Sequence, residues 1–312
     1  MKRLLPLILI LLLVTTGFAN KPAGGNVAGT LVQPMSTTVT STSSGKVSDM
    51  CGFYDSALDD YIIYSIENNG QLWMASGDAW VADGTPCPGS APYSLTGFYD
   101  PAADEWLVLT IDNNGRLYRS GAEEWFDLEM KVPGRAPYSL GGFYDSELDD
   151  YIIYAVDGGG QLWVVSGDVW EKDGKPCTGS GPYNLAAFYD VIDDNWLVLA
   201  VDNGGKVFVS GAEEWFDYGV KVPGSGPYHL DGFLDPALNS YIIFAMNGSG
   251  AIYLDQNGES WAEAGVNLSV GGFTFDSFYD SEADDWIVYA VSSDGTLYTS
   301  NAEEWFMMVG GM

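Results

Sequence analysis

An all-β, six-bladed β-propeller of four-stranded antiparallel blades is the fold this sequence predicts. Three observations predict it: a motif that returns every 45 residues, four strand-like runs inside each unit, and an even count of units of two alternating kinds. The motif is Phe53-Tyr54-Asp55, Phe98-Tyr99-Asp100, Phe143-Tyr144-Asp145, Phe188-Tyr189-Asp190, Phe233-Leu234-Asp235 and Phe278-Tyr279-Asp280. In the second unit the strand-like runs are Ser94 to Asp100, Trp106 to Asp112, Arg116 to Ser120 and Glu124 to Leu128, separated by Asp, Gly, Asn or Pro.

The second run of each unit is apolar without alternation, as in Tyr61-Ile62-Ile63-Tyr64 and Trp106-Leu107-Val108-Leu109. A strand reads this way when both faces are covered, which suits a blade held between two neighbours. Asn69-Gly70, Asn114-Gly115 and Asp294-Gly295 supply the positive φ of a tight hairpin between second and third strands. Units one, three and five share the Tyr-Ile-Ile strand, whereas two, four and six share Trp and Ala-Glu-Glu-Trp-Phe, so the full period is about 90 residues and the ring has pseudo-threefold symmetry. The chain enters at a first strand and stops soon after Trp305-Phe306. Closure is therefore expected from packing between blades one and six.

Residues 1–19 read as a signal peptide: Lys2 and Arg3, the apolar stretch Leu4 to Val14, then Gly17-Phe18-Ala19. The stretch is shorter than the roughly 20 residues a spanning helix needs. Residues 20–46, rich in Ser, Thr and Gly, read as a flexible leader, and 47–312 as the propeller. Secretion or periplasmic export follows. Removing two of the twelve basic residues and none of the 43 acidic ones leaves a formal charge of −33. Such a chain disfavours nucleic acid and anionic membranes as partners, and no membrane insertion of the mature chain is expected. Cys51, Cys87 and Cys177 make no disulfide framework, and the last two occupy equivalent places in blades one and three, too far apart to bond.

The acids fall on turns. First turns carry Asp55, Asp59, Asp60, Asp100, Asp104, Asp145, Asp149, Asp150, Asp190, Asp193, Asp194, Asp280, Asp284 and Asp285, and third turns add Glu123, Glu124, Glu213 and Glu214. The bases lie mainly by second turns and connectors, which predicts one anionic face. Solvated turn residues explain the pattern simply. The sharper expectation is Ca²⁺ on the first-turn carboxylates, although no Asp-x-Asp-x-Asp-Gly loop with a terminal Glu is present. No cofactor is required.

Amphipathic rings recur at Trp80, Trp125, Trp170, Trp215, Trp261 and Trp305 near the blade edge, and at Tyr93, Tyr138, Tyr183 and Tyr228 in the connectors. Broad, apolar, polar-tipped rings suit sugar stacking, and equally suit packing between blades. His229 is the one histidine and replaces Ser94, Ser139 and Asn184 of other connectors; it is assigned no role. No His/Cys cluster for zinc and no Gly-rich phosphate loop opening a helix is present.

Strand layouts such as Ile63-Tyr64-Ser65-Ile66, Asn68-Asn69-Gly70-Gln71-Leu72-Trp73 and Gly77-Asp78-Ala79-Trp80 resemble the propeller lectins, notably the fucose-binding and tectonin-like groups. The resemblance spans all six units. It implies an Arg on the second strand and a Glu on the third to hold fucose. Ile62 or Ile63 and Met74 in blade one, and Val108 and Arg119 in blade two, do not match that pair. Six-bladed sialidases are rejected, because their three converging arginines cannot be drawn from Arg116, Arg119 and Arg135.

Every conspicuous position occurs three or six times, whereas an enzyme assembles one asymmetric site. The expectation is a non-enzymatic, secreted, lectin-like propeller with multivalent interblade sites, acting as a monomer on glycans. The alternative is an extracellular protein-binding or adhesion scaffold whose acidic, Ca²⁺-binding face docks a cationic protein surface. A glycan-acting enzyme ranks third.

Overall fold

The computed structural model describes residues 46–309 apart from 56–57, 59, 77–78, 101–104, 122, 146, 149, 192–194, 212, 257, 265–267, 269–271, 281–284 and 301–304. The expected signal peptide 1–19, and the leader 20–46 except Lys46, lie outside the described residues. Six antiparallel sheets of four strands stand around an axis, each built from strands consecutive in the chain. Blade one runs Val47–Asp55, Asp60–Glu67, Leu72–Ser76 and Ala79–Asp83. The other innermost strands are Ser94–Asp100, Ser139–Asp145, Tyr183–Asp190, His229–Asp235 and Phe273–Asp280. These six touch one another in a closed circle, that of blade six meeting that of blade one.

Apolar continuity in the second strand has the expected cause. Ile62, Ile63, Tyr64 and Ile66 are all buried although successive side chains point to opposite faces, because each face meets another blade. The core is six clusters, one per interface. Between blades six and one it holds Met50 and Ile63 against Tyr289, Val291 and Leu297. Each fully covered Leu, Ile or Val contributes roughly 1.5–3 kcal/mol.

The hairpin glycines Gly70, Gly115, Gly160, Gly205, Gly250 and Gly295 all have φ between +80° and +87°, where a Cβ is strained. Five of their carbonyls accept the N–H of the following connector, from Cys87, Val132, Cys177, Val222 and Leu268. At the seam Gly295 O instead accepts the indole N–H of Trp80 in blade one, at 2.8 Å. The equivalent indole N–H groups of Trp170 and Trp261 are buried without a partner, and the matching carbonyls of Gly115 and Gly205 accept from Val132 and Val222. Trp80→Phe is therefore expected to cost about 1 kcal/mol, and Trp170→Phe nothing or a slight gain; urea melts of the two variants check this.

The innermost strands have an unpaired edge toward the axis, and side chains of the preceding blade cap it. Asp49 Oδ2 accepts from Leu95 N (2.9 Å), Ser94 Oγ from Leu140 N (3.0 Å), Ser139 Oγ from Leu185 N (3.0 Å) and Asn184 Oδ1 from Leu230 N (2.6 Å). Thr274 Oγ1 ties blade six to blade one by donating to Asp49 Oδ1 (2.6 Å). Closure thus rests on hydrogen bonds as well as the expected packing.

Cys87 and Cys177 sit in different interfaces, blades one to two and three to four, and all three cysteines are free and buried. Burial pushes the Cys87 thiol up to about 12 and that of Cys177 to about 11.

Candidate functional site

Where the first strand ends and the second begins, each blade presents a cross-strand pair of large side chains. The pairs are Tyr54–Tyr61, Tyr99–Trp106, Tyr144–Tyr151, Tyr189–Trp196, Leu234–Tyr241 and Tyr279–Trp286. Most are half-buried, and Trp196 is 37 % exposed. Within the pairs, Tyr54 and Tyr61 lie 5.8 Å apart between centroids and Tyr144 and Tyr151 6.0 Å, both tilted. The residue before the second-strand ring is polar every time: Asp60, Glu105, Asp150, Asn195, Ser240 and Asp285.

The second-strand rings are pinned from one side by the motif aspartates. Asp55 Oδ2 accepts from Trp106 Nε1 (2.5 Å), Asp145 from Trp196 Nε1 (2.7 Å), Asp190 from Tyr241 OH (2.6 Å), Asp235 from Trp286 Nε1 (2.7 Å), and Asp280 from Tyr61 OH (2.5 Å) across the seam. Burial first, then the bond to Asp280, hold the Tyr61 phenol far above its ordinary range, so it remains a donor. A ring fixed at its polar tip and half open on its face is a preorganised platform.

These contacts bear on the metal expectation. Asp55, Asp145, Asp190 and Asp280 are at most 4 % exposed and hold neighbouring blades. The other oxygen of Asp55 accepts Leu58 N, and that of Asp145 accepts Glu147 N and Leu148 N. Ca²⁺ needs six to eight oxygens, and these have few to spare. Asp60 and Asp150 are exposed and accept the N–H of Tyr61 and Tyr151. Asp59, Asp104, Asp149, Asp193, Asp194 and Asp284, with the side chains of Asp100 and Asp285, lie outside the described residues. Among the described residues no three His, Cys, Asp or Glu side chains converge as a metal site requires.

The proposed sugar rings divide by burial. Trp125, Trp170, Tyr93, Tyr183 and Tyr228 are under a tenth exposed and belong to interblade cores. A ring so enclosed has no face for a sugar, so the structure moves these five from site to core. Tyr228 OH donates to Gly224 O (2.6 Å), and half-buried Tyr138 to Gly134 O (2.7 Å). Trp80, Trp215 and Trp261 are half-buried against neighbouring blades, and the side chain of Trp305 lies outside the described residues. Phe126 and Phe216, next to two of these Trp, are exposed and were not anticipated; alternation along the outer strand was the available signal.

The two-sided charge pattern is also less clean than the turns imply. Blade twist brings the third turn of one blade against the connector of the preceding one: Glu123 O accepts from Thr85 N, Glu213 O from Lys175 N, and Lys175 Nζ pairs with Glu214 at 3.5 Å. Acids and bases meet at the rim. The axis holds a cavity of about 490 Å³, whose lining includes Tyr54, Tyr99, Tyr144 and Tyr189 as well as Asp49, His229, Asp231 and Asp276.

No protein-family model matches the chain, and no curated protein matches it. Solved structures do. AofleA from Arthrobotrys oligospora superposes with a TM-score of 0.61 at 14 % identity, over 86 % of this chain and 88 % of that one. The Aleuria aurantia lectin, a fungal six-bladed β-propeller that recognises fucose, gives 0.58 at 14 % over 85 % and 94 %. SapL1 lectin in complex with α-methyl fucoside gives 0.61 at 12 % over 86 % and 97 %. BBS1N in complex with ARL6DN is similar as well, at 0.57 and 8 % identity. At these identities the shared property is the fold. The chain is a six-bladed β-propeller of the architecture found in fungal fucose lectins.

Proposed function

We propose that this is an exported, lectin-like carbohydrate-binding propeller, with repeated sites on the face where first and second strands meet. One observation carries the reading: five blades repeat the aromatic pair, with a polar residue just before its second-strand ring, and blade five keeps Tyr241 beside Ser240. Sugars are recognised by stacking an apolar face on a ring while hydroxyls meet nearby acceptors, and this arrangement supplies both. Fucose held by an Arg and a Glu is not part of the proposal, since Ile62, Ile63 and Val108 are buried and Arg119 is paired with Glu105 at 2.9 Å.

The protein acts as a monomer whose avidity comes from its own repetition, without catalysis. A glycan array, run with and without Ca²⁺, tests this. Binding to one class of glycan is expected. Silence across the array would remove the lectin reading in favour of an acidic scaffold for a cationic protein.

A further inference from the structure

The axial caps differ in blades five and six. One layer deeper than the ring of Asp49, Ser94, Ser139 and Asn184, the equivalent positions are Cys51, Thr96, Gly141, Ala186, Asp231 and Asp276. Two adjacent blades place carboxyl groups there, both converging on one backbone N–H, that of Ser277. Asp231 Oδ2 accepts from Ser277 N (2.5 Å) and Ser277 Oγ (2.7 Å), holding blade five to blade six. Asp276 Oδ2 accepts from Gly52 N (2.6 Å), holding blade six to blade one, and its Oδ1 accepts from Ser277 N (2.9 Å). This is the seam at which strands from opposite ends of the described chain meet.

We propose that Asp231 and Asp276 share one proton and act as a proton-dependent latch that fastens blades five, six and one at the axis. With the proton between them, one carboxyl donates to the other while both still accept the backbone N–H groups of the next blade. Without it, two carboxylates crowd the single N–H of Ser277.

The pair is half-buried on the cavity wall, and no cation among the described residues stands beside it. The ionisable groups facing the pair are Asp49 and Cys51 from blade one and His229 from blade five, with Tyr289 opposite Asp276 on the second strand of blade six. Among the described residues no Lys or Arg lines the cavity. Blades two, three and four present Thr96, Gly141 and Ala186 at this depth. Burial first, and then the charge of Asp231, hold the Asp276 carboxyl well above the usual range, and burial raises Asp231 as well. Burial lowers His229, against the opposing charge of Asp49, and burial raises the Cys51 thiol and the Tyr289 phenol.

The sign follows from linkage. A carboxyl whose folded value is raised adds stability that is complete below its unfolded value and lost as pH rises through the folded one. His229 acts the other way, losing stability as pH falls, so the test is made in His229→Asn, which restores the residue of blade four. Between pH 5.5 and 8.5 the Tm of that protein is expected to fall by at least about 3 °C. Asp276→Asn on the same background keeps an acceptor for Gly52 N and is expected to flatten the profile.

Hydrogen exchange supplies the local readout: after correction for intrinsic rates, segments 47–55 and 273–280 should lose protection with rising pH while 139–145 does not. Should Asp276→Asn fail to fold, Asp231→Asn and the carboxyl carbon resonances of the unmutated protein report the shared proton instead. A flat Tm profile, an unchanged slope in the variant, uniform exchange across blades, or both carboxyls ionised at pH 6 would each overturn the latch.

Discussion

Asp145→Ala is expected to destabilise the propeller by about 2–4 kcal/mol, roughly 8 °C in Tm, because a buried carboxylate that holds three part-buried donors is lost. Asp145 is 1 % exposed. One oxygen takes the indole of Trp196 from the next blade, and the other takes Glu147 N and Leu148 N from its own turn. Bonds to a charged acceptor contribute about 1.5–3 kcal/mol each, and less where water can take the acceptor's place, as it can at Glu147 and Leu148. Asp60→Ala, at an exposed neighbour position in blade one, should stay within about 0.5 kcal/mol.

The pair of variants also weighs calcium against structure. Were the first-turn acids held together by Ca²⁺, EDTA on the unmutated protein would reproduce the loss seen in Asp145→Ala. Were they interblade latches, EDTA would leave Tm unchanged while the substitution still cost its full amount. Thermal melts with and without chelator distinguish the two in one experiment.

The ring, the blade count and the strand order were legible because each repeats: a 45-residue period with turn glycines at fixed offsets leaves little freedom about what pairs within a blade. Boundaries in blade two moved little, the observed strands being Ser94–Asp100, Glu105–Ile111, Arg116–Ser120 and Trp125–Lys131. What periodicity hides is the partner across an interface. Asp145 and Trp196 are each conspicuous in the sequence, yet their bond joins positions one period plus six residues apart, an offset set by how twisted blades stack. The same blindness made surface acids of Asp55 and Asp190, and sugar platforms of Tyr93 and Trp125, which the interfaces enclose. The axial caps were visible only as a curiosity, His229 standing where Ser94, Ser139 and Asn184 stand; that this position caps a sheet edge becomes apparent when the edge faces the axis.

Symmetry makes the functional proposal testable in steps. Blade five carries Leu234 where four of the other blades have a half-buried Tyr, and it folds as they do. Tyr54→Leu, Tyr99→Leu and Tyr144→Leu therefore copy a solution the protein already uses, each lowering Tm by no more than about 3 °C. Each removes one ring from one candidate site. If sites act independently and avidity links them, binding to a dense glycan surface should weaken about threefold for a single change and about 10²-fold for all three. Calorimetry with a monovalent sugar should meanwhile show stoichiometry falling by one site per substitution at unchanged affinity. An all-or-none response to one change would instead place the function in a single asymmetric site, and a lack of response to all three would move it away from the aromatic pairs altogether.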